Sequence, residues 1–584
     1  MAQQDYSLLD AEEAHETPML PLRREQEEGA QQGGGGGGDE PGAAHGELLG
    51  CVSATQANSL LRQLAVQRAG ATEPGVRLTP RICTSNRNSR LPPFLRSPLV
   101  SWGVAVVALI AFFAALASRG HCAGSGPPPP GGGAGGQCVH DAAQRVLLIS
   151  VDGFRADYLS HILANAPSDT TSFPAFRWLL SHGTRAQAMQ SQFPTVTFPN
   201  HWVIATGLYP AWSGIIANSF LLRNASGSFR FNMQTLDTNF WLGEPIWLTA
   251  QKAGLYARTY FWPGSEVALQ NWDPAKTAAK FDGSVSPMQR VDNVLAMYTS
   301  DKPPQFATLY FDDVDHAGHG AGPDSAEVEA AITTVDAALW HLFQGLNNSH
   351  MLDSTHIILV SDHGMAGTCG CGRVIPVNSI LPPGMAGNDT AIAYIKSIGG
   401  WLDGNSVGVP CDGCSVNQIR ALAASMNAAA AASGFGNRFR AYANRDLPAR
   451  INGYGNSSRV PPVIGLVDIG YLVSTRNTSS YGPGCAGTHG WDNAFAAMHA
   501  TLIAAGPRFV PASILPPPSV AGKAGAGVIG NIAGGSAGLL AAEGGSMMVP
   551  NVEVYNLMAE IMGIKPAPNN GTTGYAKKVL LPRC

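Results

Sequence analysis

The chain has 584 residues, 45% of them hydrophobic, and its 37 basic and 41 acidic side chains leave a formal net charge of −4. This balance gives no reason to expect a nucleic-acid scaffold, which would need a concentrated basic surface. The length suffices for one large domain with insertions, and we find neither a tandem repeat nor a second catalytic module.

Residues 1–97 predict a disordered cytoplasmic tail, because they are rich in Gln, Glu, Gly and Ala and show no sustained apolar periodicity. The next segment, 98–118, contains the uncharged stretch Leu99–Ala117, whose 19 residues are long enough to span a bilayer as a helix. It lies too far from Met1 for a cleaved signal peptide, so we expect a signal anchor. A buried core helix is the alternative, but the tail offers no core in which to bury it.

Flanking charges predict the orientation of this span. Five arginines precede it closely, whereas Arg119 is the one basic residue that follows closely. The positive-inside rule therefore predicts a type II topology, with the large domain outside the cell or in a secretory lumen. All the N-glycosylation patterns also follow the span, which agrees with this orientation: Asn224, Asn347, Asn388, Asn456, Asn477 and Asn570.

A Pro/Gly-rich stalk is predicted over residues 119–139. Cys122 and Cys138 flank its most biased part, and they suggest a dimer cross-linked through the stalk. Eight of the 10 cysteines follow the span, where an oxidising lumen favours disulfides. Cys411 and Cys414 fit either half of a zinc ribbon or a disulfide, and the predicted location favours the disulfide.

Residues 140–584 predict one catalytic domain with an α/β fold. Short apolar runs, typical of the buried strands of a mostly parallel sheet flanked by helices, occur at Val146–Val151, Phe306–Phe311, Ile357–Val360 and Ala500–Ala505. The Gly/Ala-rich stretch Ser519–Gly545 predicts a flexible surface insertion.

Acidic and imidazole side chains follow these runs. Since functional groups of parallel sheets collect at the carboxyl ends of the strands, we expect them on one rim. The set is Asp152, Asp315, His319, Asp362 and His363, with His489 farther on. Each residue alone is more often a turn, a cap or a hydrogen-bonded core group. Together they offer too many ligands for one tetrahedral zinc ion and a suitable set for two.

A hydroxyl completes the pattern. Thr197 leads into the helix-like segment Pro199–Thr206, and a helix N-terminus, with its unpaired N–H groups, is a natural seat for phosphate. Metal coordination is one way to activate such a hydroxyl for attack on phosphorus.

At this point the sequence resembles a known family. Ten segments occur in the order typical of the ectonucleotide pyrophosphatase/phosphodiesterase family of the alkaline phosphatase superfamily, among them SVDGF, PTVTFPNH, TGLYP, FWPGSEV, DHAGHGAGP, SDHGM and THGWDN. The resemblance extends from about residue 144 to the C-terminus and implies an alkaline-phosphatase-like sheet.

The resemblance also implies roles for individual residues. Thr197 is expected to form a covalent nucleotidyl intermediate, and Asn218 to hydrogen-bond a phosphate oxygen. One zinc ion is expected on Asp152, Thr197, Asp362 and His363, and the other on Asp315, His319 and His489. The substrate-binding positions implied are Phe198, Asn218, Trp262, Pro263, Glu266, Phe281 and Tyr310.

The expected function is hydrolysis of nucleotide pyrophosphates and phosphodiesters, such as ATP, dinucleotides or nucleotide sugars, to nucleoside 5′-monophosphates. Base–aromatic stacking tolerates any base, although Trp262, Phe281 and Tyr310 would otherwise be read as core aromatics. Departures from the family pattern at Val196, Glu266, Phe281 and Val314 leave the base preference open. Two alternatives remain: a choline or lipid phosphodiesterase of the same family, and a catalytically silent surface protein on this fold.

Overall fold

The computed structural model describes residues 145–165, 171–224, 227–369, 373–402, 404–475, 485–518 and 548–583. The predicted tail, membrane span and stalk lie outside the described residues, as does Ser519–Gly545. Within the described ranges, no helix is both long enough and apolar enough to cross a membrane.

The strands are numbered β1 to β19 in chain order. They are β1 Arg145–Val151, β2 Gly183–Arg185, β3 Ala188–Gln190, β4 Phe220–Asn224, β5 Gly227–Phe231, β6 Ala257–Tyr260, β7 Ala278–Ala279, β8 Phe306–Phe311, β9 Thr355–Val360, β10 Ala366–Cys369, β11 Val374–Pro376, β12 Ser406–Val409, β13 Phe439–Ala443, β14 Val463–Val467, β15 Leu472–Ser474, β16 Cys485–Thr488, β17 Leu502–Ala505, β18 Ser513–Ile514 and β19 Met548–Pro550.

The α-helices are numbered in the same way. They are α1 Tyr158–Asn165, α2 Pro174–His182, α3 Thr197–Thr206, α4 Pro210–Ser213, α5 Ile246–Lys252, α6 Pro274–Thr277, α7 Pro287–Tyr298, α8 Asp313–Ala321, α9 Ala326–Asn348, α10 Asp389–Ser397, α11 Val416–Ala432, α12 Glu553–Met562 and α13 Tyr575–Val579.

The main sheet has eight strands in the order β18-β2-β17-β9-β1-β8-β6-β7. Strands β9, β1, β8, β6 and β7 run parallel, and β1 pairs with both β8 and β9 along its length. Strand β17 runs antiparallel to β9. The predicted fold class, a mixed α/β fold with a mostly parallel sheet, is therefore confirmed.

Helices cover both faces of this sheet. Along β1, Val146 and Leu148 belong to one apolar cluster, whereas Leu147, Ile149 and Val151 belong to a second. The first cluster includes residues of α3, α5 and α12, and the second includes residues of α2, α7 and α9. The central strands are buried on both faces and mostly apolar, so charged groups that bind a ligand are expected at the strand ends.

A third apolar cluster lies mostly in the segment between β10 and β16. It combines residues of α10 and α11 with the antiparallel sheet β12-β14-β13. Cys411 and Cys414, just before α11, form a disulfide with each other, a pairing that the sequence left open.

Candidate active site

The carboxyl ends of three neighbouring parallel strands bring the predicted ligands together. Asp152 follows β1 directly, Asp362 and His363 follow β9, and α8, which carries Asp315 and His319, begins two residues after β8. Thr197 is the first residue of α3, and His489 follows β16. All seven side chains therefore meet at one rim of the sheet, although 337 positions separate the first from the last in the sequence.

One group consists of Asp152, Asp362 and His363. The Nε2 atom of His363 lies 3.3 Å from Oδ1 of Asp152 and 2.9 Å from Oδ2 of Asp362. All three are essentially buried, with at most 2% of each exposed. The hydroxyl of Thr197 lies 3.3 Å from the same Nε2 atom, so it adjoins this group.

A second group surrounds Asp315. Its Oδ2 lies 3.4 Å from Nε2 of His319, and its Oδ1 lies 3.6 Å from Nε2 of His489. The ring of His363 stacks on that of His489, with 3.5 Å between the ring centroids. His363 therefore belongs to both groups of side chains that could hold a metal ion, which are Asp152/Asp362/His363 and Asp315/His363/His489.

The three imidazoles are oriented by backbone carbonyls. The Nδ1 atoms of His319, His363 and His489 lie 2.9, 2.9 and 3.0 Å from the carbonyl oxygens of Gly487, Gly364 and Thr195 respectively. A carbonyl can only accept a hydrogen bond, so each Nδ1 carries the proton and each Nε2 faces the carboxylates. This is the arrangement in which histidine binds a metal ion.

Several acceptors at the site lack a hydrogen-bond donor. Oδ1 of Asp152, Oδ1 of Asp315 and Oδ2 of Asp362 are buried without a hydrogen-bond partner. Nε2 of His489 lies 3.1 Å from Nε2 of His319, and in the neutral form with the proton on Nδ1 neither Nε2 atom has a proton to donate. Unsatisfied buried acceptors of this kind are costly, and bound cations are one way to satisfy them.

The pKa shifts show the same crowding of negative charge. Burial raises the pKa of Asp152 well above its ordinary value, and the neighbouring Asp362 and Asp315 raise it further. Burial would also raise the pKa of Asp362, but His363 and His201 hold it well below its ordinary value. Burial, together with His363 and His319, lowers the pKa of His489, which keeps it neutral as a metal ligand must be. The donor set therefore fits bound metal ions.

Backbone geometry brings the two groups close together. Gly153 follows Asp152 with φ +65°, a conformation that favours glycine. A Cβ atom on Gly153 would lie 2.9 Å from the Cα atom of Asp315. The end of β1 therefore approaches α8 as closely as a residue without a side chain allows.

The N-terminus of α3 presents the hydroxyl. The predicted start at Pro199 is two residues late, because proline is tolerated in the first turn of a helix, where its missing N–H is not needed. The N–H of Phe198 donates to Oδ1 of Asn218 at 2.9 Å. This bond fixes the amide of Asn218, and its Nδ2 remains available to donate to a ligand at the helix N-terminus.

His201 is a site residue that sequence reasoning missed. It lies one turn after Thr197 on α3 and is fully buried. Its Nδ1 lies 2.9 Å from the carbonyl oxygen of Thr197, and its Nε2 lies 2.8 Å from the hydroxyl of Ser150. It therefore ties the first turn of α3 to strand β1. The i, i+4 spacing from the predicted nucleophile was the signal that could have identified it.

The predicted substrate-binding aromatics differ in exposure. Phe281 is 42% exposed, whereas Tyr310 is 7% and Trp262 is 1% exposed. The Tyr310 hydroxyl donates to Oδ2 of Asp152 at 2.6 Å, so this residue also supports a candidate metal ligand. The ring of Trp262 packs edge-on against His201, with 5.0 Å between the centroids. Trp262 therefore lies behind the site rather than at its surface.

The remaining predicted substrate-binding positions surround the same rim. Phe198 packs against Phe231 and Trp241, and it is partly exposed, as is Pro263. A carboxylate oxygen of Glu266 accepts the N–H of Phe281 at 2.9 Å, so Glu266 holds the backbone next to the exposed ring.

Comparison with known proteins identifies the family. Residues 146–492, which include every side chain of the site, match the family described as type I phosphodiesterase/nucleotide pyrophosphatase. The chain belongs to this family.

Curated relatives in the phosphodiesterase family align over most of the chain. Ectonucleotide pyrophosphatase/phosphodiesterase family member 3 of Mus musculus is 31% identical over 441 residues, covering 74% of this chain and 44% of the relative. Venom phosphodiesterase 2 of Crotalus adamanteus is 32% identical over 438 residues, covering 74% of this chain and 47% of the relative. The chain therefore spans less than half the length of these relatives.

Solved structures of family members share the fold. Murine ectonucleotide pyrophosphatase/phosphodiesterase 5 has a TM-score of 0.58 and 25% identity, covering 75% of this chain and 100% of that chain. An inactive variant of the same murine protein, solved in complex with AMP, superposes with the same TM-score of 0.58 and the same coverage. The human protein 5 structure is 26% identical, with a TM-score of 0.58.

Proposed function

We propose that this protein is a two-zinc hydrolase of nucleotide pyrophosphates and phosphodiesters that releases nucleoside 5′-monophosphates. The observation that carries the proposal is the position of the Thr197 hydroxyl. It lies at the N-terminus of a helix and 3.3 Å from Nε2 of His363, an atom shared with two buried carboxylates. The family and the AMP complex of the murine relative support a nucleotide substrate.

The proposed ligands divide as the resemblance implies. Asp152, Thr197, Asp362 and His363 would hold one zinc ion, and Asp315, His319 and His489 the other. Mixed carboxylate and imidazole ligation suits zinc better than magnesium. Zinc at such a site lowers the pKa of a hydroxyl or of water and neutralises charge on phosphoryl oxygens.

In this proposal the protein's own groups position the reaction. The Thr197 oxygen attacks phosphorus and forms a threonyl-nucleotide, while the leaving group departs on the opposite side. Nδ2 of Asn218, directed by the Phe198 N–H, donates to a non-bridging phosphate oxygen in the transition state. Water then cleaves the threonyl-nucleotide to give the 5′-monophosphate and free Thr197.

The exposed ring of Phe281 favours a nucleoside over a choline headgroup. A flat aromatic surface near the nucleophile can stack on any base, whereas a choline headgroup is usually recognised by several rings around its cation. Of the predicted substrate-binding aromatics Trp262, Phe281 and Tyr310, Phe281 is the most exposed.

Wild-type protein and Thr197→Ala, both full-length and loaded with zinc, test the proposal. Each is assayed with the p-nitrophenyl ester of thymidine 5′-monophosphate, with ATP and with p-nitrophenyl phosphocholine. The proposal expects Thr197-dependent release of nitrophenol from the nucleotide and of AMP and pyrophosphate from ATP. Preference for the phosphocholine ester would assign the activity to lipids, and no turnover of any substrate by zinc-loaded protein would favour the silent surface protein.

We also propose a type II anchored protein, with residues 1–97 cytoplasmic, 98–118 in the membrane, 119–139 as a stalk and 140–584 as the catalytic domain. The flanking arginines and the one-sided glycosylation patterns support this topology. Protease protection in sealed microsomes tests it, since digestion from outside should remove the tail and spare the catalytic domain. Non-reducing electrophoresis of a Cys122→Ser/Cys138→Ser variant tests the proposed cross-linked dimer.

A further inference from the structure

Arg290 is a buried cation that the proposed mechanism does not use. It lies in α7 with 1% of its surface exposed. Its Nε donates to the carbonyl oxygen of Val285 at 2.8 Å, and its Nη1 donates to the carbonyl oxygen of Tyr310 at 3.1 Å. Nη1 also lies 2.7 Å from Oδ1 of Asp312, which forms an ion pair with the guanidinium.

These bonds connect two segments that carry predicted substrate-binding aromatics. Val285 lies in the loop after β7, which also carries Phe281, and Tyr310 and Asp312 mark the end of β8. Arg290 therefore fixes the Phe281 loop to the strand end by three contacts. A buried guanidinium with these partners is rigid, because losing any one of them would leave a charged group short of a partner.

The same guanidinium lies behind the exposed ring. The Cζ atom of Arg290 is 5.9 Å from the ring centroid of Phe281 and 5.4 Å from that of Phe261. Phe281 packs edge-to-face against Phe261 and Tyr310, with centroid distances of 5.4 and 5.8 Å. Phe281 thus presents one part of its ring to solvent while its other contacts are set by groups that Arg290 holds in place.

We infer that Arg290 is a positioning residue for nucleoside recognition, an inference that rests on the proposed function. Arg290 holds Phe281 and Tyr310 as a preformed stacking surface. Binding of a base therefore costs little entropy for ordering these side chains, and the attached phosphate is placed at Thr197. Arg290 itself touches no substrate atom. Its effect is therefore specific to substrates that carry a base.

The test compares two substrates that share the reacting phosphodiester. One is the p-nitrophenyl ester of thymidine 5′-monophosphate, and the other is bis(p-nitrophenyl) phosphate, which has no nucleoside. The measured quantity is the ratio of their kcat/KM values for full-length, zinc-loaded protein. We expect Arg290→Met to lower this ratio about tenfold, mainly through the KM of the nucleoside ester, since one stacked base contributes on this scale. Phe281→Ala should lower the ratio similarly, and the double variant should add little.

Two further variants separate positioning from folding. Arg290→Lys keeps the charge but cannot make the same set of bonds, so it should lower the ratio too and remains informative if Arg290→Met does not fold. Arg508→Met is the matched control, because Arg508 is also buried (3% exposed) and donates to the backbone carbonyls of Glu560 and Leu581. It should leave the ratio unchanged.

Equal losses on both substrates in the Arg290 variants would assign Arg290 a purely structural role and overturn the inference. An unchanged ratio in Arg290→Lys or Arg290→Met, beside a lowered one in Phe281→Ala, would overturn it as well. The wild-type preference for the nucleoside ester reports on the proposed function separately, so the two proposals can fail independently.

Discussion

Two buried histidines at opposite ends of strand β9 have different hydrogen-bond partners. His356, near the start of β9, is fully buried, with Nδ1 3.2 Å from the carbonyl oxygen of Arg145 and Nε2 accepting the N–H of Arg508 at 3.2 Å. His363, just beyond the end of β9, is buried to the same degree. Its Nε2 instead faces the carboxylates of Asp152 and Asp362.

The surroundings of the two histidines indicate that one end of β9 contributes to stability and the other to function. Both ring nitrogens of His356 have a backbone partner, so this histidine is satisfied by the protein alone. Around His363 several buried carboxylate oxygens have no hydrogen-bond donor among the described residues, and these residues form the candidate metal groups. Substitutions at the two ends should therefore change different measurable quantities.

The largest effect should come from removing metal. Treatment of the zinc-loaded protein with a strong chelator should abolish hydrolysis of the thymidine ester, and added zinc should restore it. The melting temperature should also fall, since a ligand at about 1,000 times its Kd stabilises the folded state by about 4 kcal/mol. Calorimetry and elemental analysis measure both effects. Full activity in protein shown to hold no metal would contradict the assignment of this rim.

Asp315→Asn should cost less than complete metal removal but still most of the activity. We expect kcat/KM to fall at least about 100-fold, because loss of a ligand exceeds the 10–100-fold effect of losing a ligand's partner. In the metal-free protein the same change should leave the unfolding free energy unchanged or raise it, since it removes one of three crowded carboxylates. A large loss of stability in the metal-free variant would show that the carboxylate is structural.

His356→Asn should produce the reverse outcome, with stability lowered and activity nearly retained. Loss of the imidazole leaves the N–H of Arg508 short of an acceptor, which costs about 1–3 kcal/mol of unfolding free energy at pH 7. Chemical denaturation of the metal-free protein and kcat/KM of the metal-loaded protein measure the two sides. An activity loss larger than the stability loss would mean that the two rims are coupled.

The pH dependence of this variant is a further check. Burial lowers the pKa of His356 from 6.5 to about 4. The unfolded chain therefore binds more protons between these values, so the wild-type contribution is complete above about pH 6.5 and is lost as the pH falls toward 4. The stability difference between wild type and His356→Asn should shrink over that window.

Among the changes at the candidate metal groups, Tyr310→Phe should lower activity the least. It removes the hydroxyl that donates to Asp152 at 2.6 Å and keeps the ring that faces Phe281. We expect about a tenfold fall in kcat/KM on both the nucleoside ester and bis(p-nitrophenyl) phosphate, with weaker zinc binding. A fall confined to the nucleoside ester would instead assign the Tyr310 hydroxyl to binding of the nucleoside.

Much of the sheet could be predicted because its strands are buried on both faces. The run Phe306–Phe311 matches β8 residue for residue, and Val146–Val151 and Ile357–Val360 fall within β1 and β9. The direction of β17 could not be predicted, since an apolar run has the same composition in either orientation. The start of β9 could not be predicted either. Thr355 is polar and so lies outside the apolar run, but its backbone still pairs with Arg145 in β1.

The candidate ligands could be predicted from their positions after strands. The hydrogen bonds that hold the surrounding side chains in place could not. His356 and His363 both adjoin the same apolar run, and only the place of His363 after the run marks it as a candidate ligand; no pattern marks the backbone groups of Arg145 and Arg508 that satisfy His356. Likewise, Arg290 lies in an ordinary amphipathic helix, and its role depends on carbonyl oxygens that no sequence pattern marks. Contacts made to backbone atoms across long sequence separations are the part that local patterns do not encode.

Gly153 gives protein engineers a direct way to alter the site. The two candidate ligand groups meet where the chain carries no side chain at all, and one added methyl group would press on the backbone of Asp315. Gly153→Ala would therefore push the two ligand groups apart through one added carbon atom, without replacing any ligand. The spacing between the two candidate ligand groups can therefore be changed at Gly153 while every ligand is kept.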